Sequence, residues 1–448
     1  MKTKAASQSG PARRPRLIAF ICLGLCLTLL LGACQGVSFN MDVPWLTNTP
    51  QPSKTSAFPQ TPEPTQSETP ETPPSTEAAL SPLIVWVPPV FDPESSLPSA
   101  RLLKTRLDDF AREQGIEIIV RVKSSSGPGS LLDALHAARV AAPAVSPDLI
   151  ALPKADLDRA AQQGLIYSGE ALNGLLDQAD WYAFARQAAS WNGSVFGVPF
   201  MADPYAMVHD GNSQLTPVGD WTAIKENFGF FGFAADDPQG IFLLTLYLEA
   251  GGKVEDPQGR PMLETEPLTS ALQLLKDANT SRHMSNLVTG FQTSTQVWTA
   301  FLDWKLNTAF VLVSDVLAYT PGRVDQPLPE LIAPDITVTS AWSWAVATPA
   351  SARAELAVSL AEYLTEPEFL AAWAEEIQDL PARASALNLW TQAEKKPVLE
   401  QIAQAAVILP REDVLNIIGP VLRNATLLIL RDNADPQQTA LQAVESLP

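Results

Sequence analysis

Apolar residues follow one another without interruption in Leu83–Val87. A short continuous apolar run is typical of a strand that is covered on both faces. Residues 100–114 instead place their apolar side chains at helical spacing, and Gly115 follows where a helix commonly ends. Two further β-rich segments, 116–122 and one that starts at Pro147, give an alternating order of strands and helices. This order predicts an α/β fold with a parallel sheet.

Helix and strand patterns continue to the end of the chain. Ser130 begins a helix, with Asp133 at the spacing of a capping box. Helices are also predicted from Asp220 and over 241–250, 268–277, 295–303, 352–364, 368–377, 397–407, 414–430 and 436–446. Strands are predicted over 309–313 and 342–346. Gly419-Pro420 predicts a break in the helix 414–430, because a proline inside a helix removes a hydrogen bond.

A turn and two extended runs lie near the middle of the chain, in the stretch WNGSVFGVPFMADPYAMVHD that starts at Trp191. Asn192-Gly193 tolerates the positive φ that a tight hairpin needs. A β-rich run follows, and Pro199 limits it to an edge or to the end of a strand. The chain resumes as an apolar run after Asp203-Pro204. We therefore predict a hairpin and two strand segments with a polar step between them.

Length and composition narrow the possible functions. A chain of 448 residues is too long for one ordinary core, so two lobes or domains are expected. Its formal net charge of −19 makes binding to nucleic acid or to an anionic membrane surface by charge a poor prediction. The three histidines lack metal-ligand spacing, so neither a metal nor another cofactor is predicted. One cysteine, Cys34, lies outside the N-terminal apolar run, which excludes a disulfide framework within the mature chain.

The N-terminus has the pattern of a targeting signal. Basic residues precede the apolar run 17–31, which is short for a membrane span. The run ends in Leu31-Gly32-Ala33-Cys34, which is typical of bacterial lipoproteins, whose cysteine is acylated and becomes the new N-terminus. We predict a signal peptide over 1–33 and lipidation at Cys34, with a plain transmembrane anchor as the alternative.

Residues 34–82 are rich in Pro, Ser and Thr. Such a segment buries too little apolar surface to offset the entropy of ordering it. We predict a disordered, semi-extended tether between the lipid on Cys34 and a globular body that starts near Leu83.

Several short motifs occur in an order that is known from one family. They are Pro147-Asp148, Gln163-Gly164-Leu165, Asn192-Gly193 with Gly197 and Pro199, Gly251-Gly252, and Leu380-Pro381-Ala382-Arg383. In this order they resemble the extracellular solute-binding proteins of ABC importers, the family that includes maltose-binding protein. The resemblance covers most of the chain from Leu83. It is lost at His209-Asp210, where the family carries a tyrosine–asparagine pair.

The resemblance implies a two-lobed α/β fold of the periplasmic-binding-protein type II, with three hinge crossings and a cleft between the lobes. The first lobe would comprise 83–203 and 332–364, and the second 204–331 and 365–448. A ligand that touches both lobes would stabilise the closed form by its differential affinity.

No motif of a catalytic centre is recognisable in the chain, and neighbouring acids are best interpreted as solvated surface. The candidate ligand-binding residues are Ser125, Asp203, Asp237, Ser314, Asp315, Trp342, Trp344 and Arg383. Ser125 follows a strand, and the carboxyl ends of strands face the ligand crevice in open α/β sheets. Trp342 and Trp344 are two apart on a predicted strand and so face the same side.

The resemblance implies ligand contacts for Asp203, Asp237 and Ser314-Asp315, whereas its usual aromatic position is Val316 here. Each candidate has an alternative role. The two tryptophans could pack beneath a helix, Asp203 could cap a turn, and Arg383 could pair with an acid instead of clamping a ligand.

The sequence therefore predicts a monomeric solute-binding lipoprotein at the outer face of a bacterial cytoplasmic membrane. Its partners would be a small solute, most simply a sugar, and an ABC permease. A lipoprotein that senses a ligand and signals to a membrane receptor is the alternative. A secreted hydrolase is a third class, and it would require a triad or paired carboxylates across the cleft.

Overall fold

One mixed sheet of ten strands organises the computed structural model, which describes residues 81–211, 230–320, 327–349 and 351–448. Cys34, the predicted signal peptide, most of the predicted tether and the helix predicted at Asp220 lie outside these residues. The described residues belong to one compact unit of the chain.

The strands in the described residues have the following bounds. They are β1 (Leu83–Val87), β2 (Ile118–Val122), β3 (Leu149–Pro153), β4 (Ser190–Trp191), β5 (Ser194–Val195), β6 (Gly197–Asp210), β7 (Phe231–Gly232), β8 (Thr308–Leu312), β9 (Pro329–Ile332), β10 (Thr337–Val346), β11 (Leu380–Pro381) and β12 (Ala406–Ile408).

The helices surround this sheet. They are α1 (Pro98–Gln114), α2 (Leu131–Ala141), α3 (Lys154–Gln162), α4 (Glu170–Leu176), α5 (Ala183–Ala188), α6 (Ile241–Glu249), α7 (Thr265–Thr280), α8 (Ser294–Leu302), α9 (Val313–Leu317), α10 (Ala352–Tyr363), α11 (Pro367–Ile377), α12 (Ala384–Asn388), α13 (Lys396–Ala405), α14 (Glu412–Asp432) and α15 (Pro436–Glu445).

The main path of the sheet runs β2-β1-β3-β10-β6-β8-β7. β1 pairs in parallel with β2 and β3, which confirms the predicted α/β start of the chain. β10 pairs antiparallel with both β3 and β6, and β6 pairs antiparallel with β8. The sheet is therefore mixed rather than wholly parallel.

β6 and β10 divide the sheet into two sections. β6 pairs with β10 from Gly197 to Pro204 and with β8 from Tyr205 to His209. We call β1, β2, β3 and the part of β6 before Asp203 the first section, and β7, β8, β9 and the part of β6 from Tyr205 the second section. β10 pairs with β3 of the first section at one end and with β12 at the other.

Each section is covered on both faces by apolar clusters. We call the group of buried apolar side chains that contains Val85 cluster A, and the group that contains Trp86 cluster B. Neighbouring residues of β1 therefore enter different clusters. In the second section, cluster C contains Phe310 and cluster D contains Ala309. This alternation is what a strand with two covered faces requires. It explains why the apolar runs read without interruption.

The helices α11, α12 and α13 bury their apolar side chains in cluster A, through Leu370, Leu387 and Leu399 among others. The sequence assigned residues 365–448 to the second lobe, whereas this packing joins 367–405 to the first section. Residues of α14 and α15 do enter cluster C.

The predicted break at Gly419-Pro420 is wrong, because α14 runs through both residues. Pro420 removes one helical hydrogen bond, but the helix buries Val414, Ile418 and Leu422 in cluster C on either side of it. Gly419 also packs so closely against Gln239 that an added Cβ would lie 2.8 Å from its Cα. Tertiary packing therefore outweighs the local cost of the proline. By length and composition α14 could also cross a membrane, but it packs as a core helix here.

Candidate functional site

Asp203 lies where β6 changes its pairing partner from β10 to β8. Its carboxylate accepts a hydrogen bond from the backbone N–H of Ser314 at 3.0 Å and another from the Ser314 hydroxyl at 2.6 Å. Ser314 belongs to α9, the short helix that follows β8. Two predicted site residues that are far apart in sequence are thus held together at the junction of the two sections.

Asp379 is a second acid at this junction. β11 pairs antiparallel with β6 through Leu380 and Ala202, so the preceding residue, Asp379, lies opposite Asp203. Burial raises the pKa of Asp203 to about 6, the charge of Asp315 adds to this, and the Ser314 hydrogen bonds oppose it. Burial and the charge of Asp203 raise the pKa of Asp379 well above its usual value. Each acid is thus costly to ionise in its buried position, and the Ser314 hydrogen bonds favour the charge on Asp203 over the charge on Asp379.

A pocket of about 240 Å³ opens beside these acids, in the second section. Tyr205, two residues after Asp203 on β6, forms one wall, and its ring stacks on Phe310 with 4.9 Å between centroids. Asp237, Gln292, Thr293 and Ser294 also line it. The pocket thus combines an aromatic face with carboxylate, amide and hydroxyl groups.

Hydrogen bonds connect this pocket to the acid pair. Ser294 donates its hydroxyl to Asp315 at 2.9 Å and accepts a hydrogen bond from the Leu312 N–H at 3.0 Å. Asp315 neighbours Ser314 on α9, so the pocket wall and the Asp203 site are continuous. Burial raises the pKa of Asp315 despite the hydrogen bond from Ser294.

Asp237 caps the helix α6 from the loop before it. Its two oxygens accept hydrogen bonds from the N–H groups of Gln239 and Ile241, each at 3.0 Å. Burial raises the pKa of Asp237, and these hydrogen bonds oppose the change. This residue therefore fixes the start of α6 and presents a negative edge to the pocket.

The Tyr205 hydroxyl remains a hydrogen-bond donor at all ordinary pH values. Burial raises its pKa, and the charges of Asp237, Asp203 and Asp315 raise it further. A protonated phenol beside three carboxyls suits a solute that presents both donors and acceptors, such as a sugar hydroxyl. Asp379 and Tyr205 were missed by the sequence analysis. Tyr205 could have been found there, because residues two apart on a strand face the same side.

Arg423, a cation near the pocket, is already paired with an acid. Arg423 on α14 forms an ion pair with Asp236, and its Nε donates to the Asp236 carbonyl at 3.3 Å. Gln292 Nε2 donates to the Asp236 carboxylate at 3.1 Å. These contacts hold the Asp236 carboxylate between an arginine and an amide at the pocket edge.

The remaining predicted residues lie elsewhere. Trp344 is fully buried, and Trp342 packs partly buried edge-on against Phe91. Arg383 is buried with its guanidinium 4.0 Å from the ring centre of Trp181. Ser125 is exposed in the loop after β2. The structure thus brings Asp203, Asp237, Ser314 and Asp315 together. Trp342 lies on the neighbouring strand opposite Met201, two residues before Asp203, and the other candidates are Ser125, Trp344 and Arg383.

Arg383 has the structural role that the sequence left open. Its Nη1 donates to Gln178 at 3.1 Å and lies 3.4 Å from a carboxylate oxygen of Asp180. Burial lowers its pKa, and the charge of Asp180 opposes the shift. The described residues contain no group of three or more His, Cys, Asp or Glu side chains arranged to hold a metal ion.

Comparison with known protein families gives one match. The family model of the bacterial extracellular solute-binding proteins matches residues 105–399. No curated protein sequence matches the chain significantly.

Solved structures of the same architecture are numerous. A cyclo/maltodextrin-binding protein in complex with maltotetraose is 18% identical, with a TM-score of 0.61 over 82% of this chain and 97% of the other. A maltose-binding periplasmic protein of Listeria monocytogenes in complex with maltose is 13% identical, with a TM-score of 0.61 over 82% and 96%. A maltotriose-binding protein of Thermus thermophilus is 18% identical, with a TM-score of 0.53 over 81% and 98%. These similarities show that the chain has the mixed α/β fold of the periplasmic solute-binding proteins.

Proposed function

This chain belongs to the family of bacterial extracellular solute-binding proteins, and we propose that it is a lipid-anchored component of an ABC importer that captures a carbohydrate by closing two lobes around it. The family consists of binding proteins that act outside the cytoplasm.

The observation that carries the proposal is the shared use of β6 and β10. β6 pairs with β10 before the junction and with β8 after it, and β10 buries Ala345 in cluster B and Val338 in cluster C. Strands that pass between two separately covered bodies can bend at the passage while each body keeps its core. Asp203, Ser314 and Asp379 lie where β6 passes from one section to the other. The contacts of a solute bound there would depend on the angle between the two sections.

The lobes that follow from this packing differ slightly from the sequence-based division. The first lobe comprises 83–203, 332–364 and the helices of 367–405, and the second comprises 204–331 and the segment from β12 to the C-terminus. Cluster B lies within the first lobe and cluster D within the second. Cluster C takes most of its residues from the second lobe, whereas cluster A takes most from the first and also buries Ala206, Val313 and Leu317 of the second.

A carbohydrate suits the pocket chemistry. Tyr205 offers an aromatic face, and Asp237, Gln292 and Thr293 offer acceptors and donors for hydroxyl groups. The three structural neighbours described above carry maltotetraose, maltose and maltotriose in their names. Cys34 would hold the chain at the membrane through its lipid, and the segment 34–82 would let the body reach the permease.

Thermal unfolding of the full chain with separate solutes tests this function. A sugar that binds should raise the melting temperature, because a ligand present at about 100 times its Kd stabilises the native state by about 2.7 kcal/mol. We expect a rise with at least one neutral mono- to tetrasaccharide. A rise with amino acids or polyamines but with no sugar would overturn the carbohydrate assignment.

A further inference from the structure

Charged side chains of both signs face each other where α3 approaches the first turn of α14. The wall from α3 carries Asp158 and Arg159, and the wall from α14 carries Arg411, Glu412 and Asp413. Each wall therefore presents at least one cation and one carboxylate to the other. Opposite charges that face each other in this way attract, and the strength of the attraction depends on how closely the walls approach.

The two walls belong to different sections of the molecule. The helix α3 buries Leu157 and Ala160 in cluster B, whereas α14 buries Val414 and Leu415 in cluster C. Each helix is thus fixed to the core of its own section. An ion pair between α3 and α14 consequently forms or breaks with a change in the angle between the sections, whereas an ion pair within one helix does not.

One ion pair joins the two walls directly. Arg159 Nε lies 3.2 Å from Glu412 Oε2. Arg159 also pairs with Asp156, three residues earlier on its own helix, and this second contact orients the guanidinium before Glu412 reaches it. Less side-chain freedom then remains to be lost when the pair between the walls forms.

Arg411 is held rigidly on the opposite wall. Its Nη1 lies 3.3 Å from Glu255 Oε2, its Nε lies 3.1 Å from Asp413 Oδ1, and its Nη2 donates to the Gly259 carbonyl at 2.9 Å. All of these partners belong to the α14 side of the gap. They fix a positive charge that faces α3.

Asp158 is the acid on α3 that responds to this charge. Lys154 Nζ donates to its Oδ1 at 2.7 Å, but its Oδ2 has no hydrogen-bond partner within the part of the chain that the structure describes. Burial raises the pKa of Asp158, and the charges of Lys154 and Arg411 oppose the shift. Asp158 and Arg411 therefore attract each other across the gap, in addition to the direct pair of Arg159 and Glu412.

Two electrostatic effects of opposite sign act between the sections. The chain has a formal net charge of −19, and like charge favours separation of its parts. The facing charges on the two walls favour approach. Salt weakens both effects, because the screening length falls from about 30 Å at about 0.01 M to about 3 Å at about 1 M ionic strength. The direction in which salt moves the sections therefore shows which effect is larger.

We propose that Arg159 and Glu412, with Asp158 and Arg411 beside them, form an ionic latch that favours the approach of the two sections before any solute binds and that salt releases. The latch goes beyond the proposed function, although it rests on the movement of the two sections that this function requires. One exposed ion pair changes an equilibrium by at most about fivefold, which corresponds to about 1 kcal/mol. The latch thus biases the sections towards closure, and a solute completes it.

Distances measured by pulsed electron spin resonance on the solute-free full chain provide the test. The native cysteines are replaced by serine, and spin labels are attached at Gln163→Cys, just after α3, and at Asn424→Cys on α14, because both positions are exposed. We expect a short-distance and a long-distance population. The short-distance population should decrease as the salt concentration rises from about 0.02 M to about 1 M.

Arg159→Gln and Glu412→Gln should each lower the ratio of short to long populations by about two- to fivefold at low salt. The double variant should lower it no further than either single variant, because all three remove the same pair. Arg112→Gln is the matched control, since it breaks an exposed ion pair with Asp109 that lies within α1, and it should leave the ratio unchanged. Melting temperatures check that every variant is folded.

Three results would overturn the latch. They are a short-distance population that grows with salt in the parent, equal populations in the parent and Arg159→Gln at low salt, and losses that add up in the double variant. A single distance under all conditions would overturn it as well. Sugar binding is measured separately by the thermal unfolding described above, so failure of the latch and failure of the carbohydrate function are distinguishable.

Discussion

The hydroxyl of Ser314 donates to Asp203 at 2.6 Å, and its backbone N–H donates to the other oxygen of the same carboxylate at 3.0 Å. This contact ties α9 to β6 at the residue where β6 passes from one section of the sheet to the other. It also stabilises the charged form of an acid that burial makes costly to ionise. The junction of the two sections is therefore an electrostatically sensitive part of the fold.

Replacing Ser314 by Ala should destabilise the protein at neutral pH. The variant loses the shorter hydrogen bond to a charged group, which typically contributes about 1.5–3 kcal/mol. The loss should be smaller at about pH 4.5, where Asp203 is largely protonated in either protein. Urea unfolding at both pH values measures it. Ser281→Ala, at the exposed serine that follows α7, serves as the control. An equal loss at both pH values would contradict the role assigned to the Asp203 charge.

Replacing Asp379 by Asn should stabilise the protein, and more so as the pH rises. The folded-state pKa values of Asp203 and Asp379 lie above the usual 3.8. The contribution of Asp203 to stability is therefore complete below about pH 4 and is lost as the pH rises through its folded pKa of about 6. That of Asp379 is lost in the same direction, as the pH rises through its own raised pKa. The asparagine removes one of the two interacting acids.

We expect the unfolding free energy of Asp379→Asn to exceed that of the parent by on the order of 1 kcal/mol at about pH 7.5, and by less at about pH 4.5. Asp335→Asn, at an exposed aspartate, should show no comparable dependence on pH. A variant that is less stable than the parent at neutral pH would show that Asp379 is not held against a like charge.

The start of the globular body depends on Asp148. This residue is 3% exposed, accepts a hydrogen bond from the Ile84 N–H at 2.8 Å and pairs with Arg353, whose Nη2 donates at 2.7 Å. Arg353 also donates to the Pro82 carbonyl. Removing one partner of a buried ion pair typically costs about 3–5 kcal/mol, and the partial exposure of Arg353 places Asp148→Ala near the lower end of this range.

Chemical unfolding measures this loss. Glu94→Gln removes a partner from the exposed pair between Lys104 and Glu94 and is the matched control. Its unfolding free energy should match that of the parent. If the Asp148 and Glu94 variants were equally stable, the pair at β1 would not hold the first section together.

Trp344 should matter for stability and not for solute binding. Its ring stacks on Phe200 with 4.9 Å between centroids, and its Nε1 has no hydrogen-bond partner among the described residues. Trp344→Phe therefore loses no hydrogen bond and should cost less than the roughly 3–5 kcal/mol expected for Trp344→Ala. The solute Kd of Trp344→Phe should equal that of the parent in calorimetric titration. A large loss of affinity would restore the ligand role that the sequence analysis considered for this residue.

Local patterns predicted the elements of this fold well. β1 has the predicted bounds, and Ser130 caps α2 by accepting a hydrogen bond from the Asp133 N–H. Asn192 and Gly193 both have positive φ, at 48° and 77°, as the hairpin between β4 and β5 requires. These features depend on backbone preferences of a few adjacent residues, which the sequence displays directly.

The sequence did not show which distant side chains meet. Asp379 was not among the candidates, because its position opposite Asp203 depends on the register between β11 and β6. Trp344 was correctly placed on a strand, but its burial depends on α11, which brings Trp373 against the same ring. Likewise, α11–α13 join cluster A because of packing between residues that are far apart in sequence. Such contacts leave no periodic signal in a single chain.

Small-angle scattering of the full chain, with and without a saturating concentration of a sugar that binds in calorimetry, tests the central claim most directly. A sugar that the parent does not bind provides the control for solvent contrast. We predict that the bound sugar lowers the radius of gyration and the control sugar leaves it unchanged, because the bound form draws the two sections together about β6 and β10. A radius of gyration that stays the same when the binding site is saturated would contradict capture by closure.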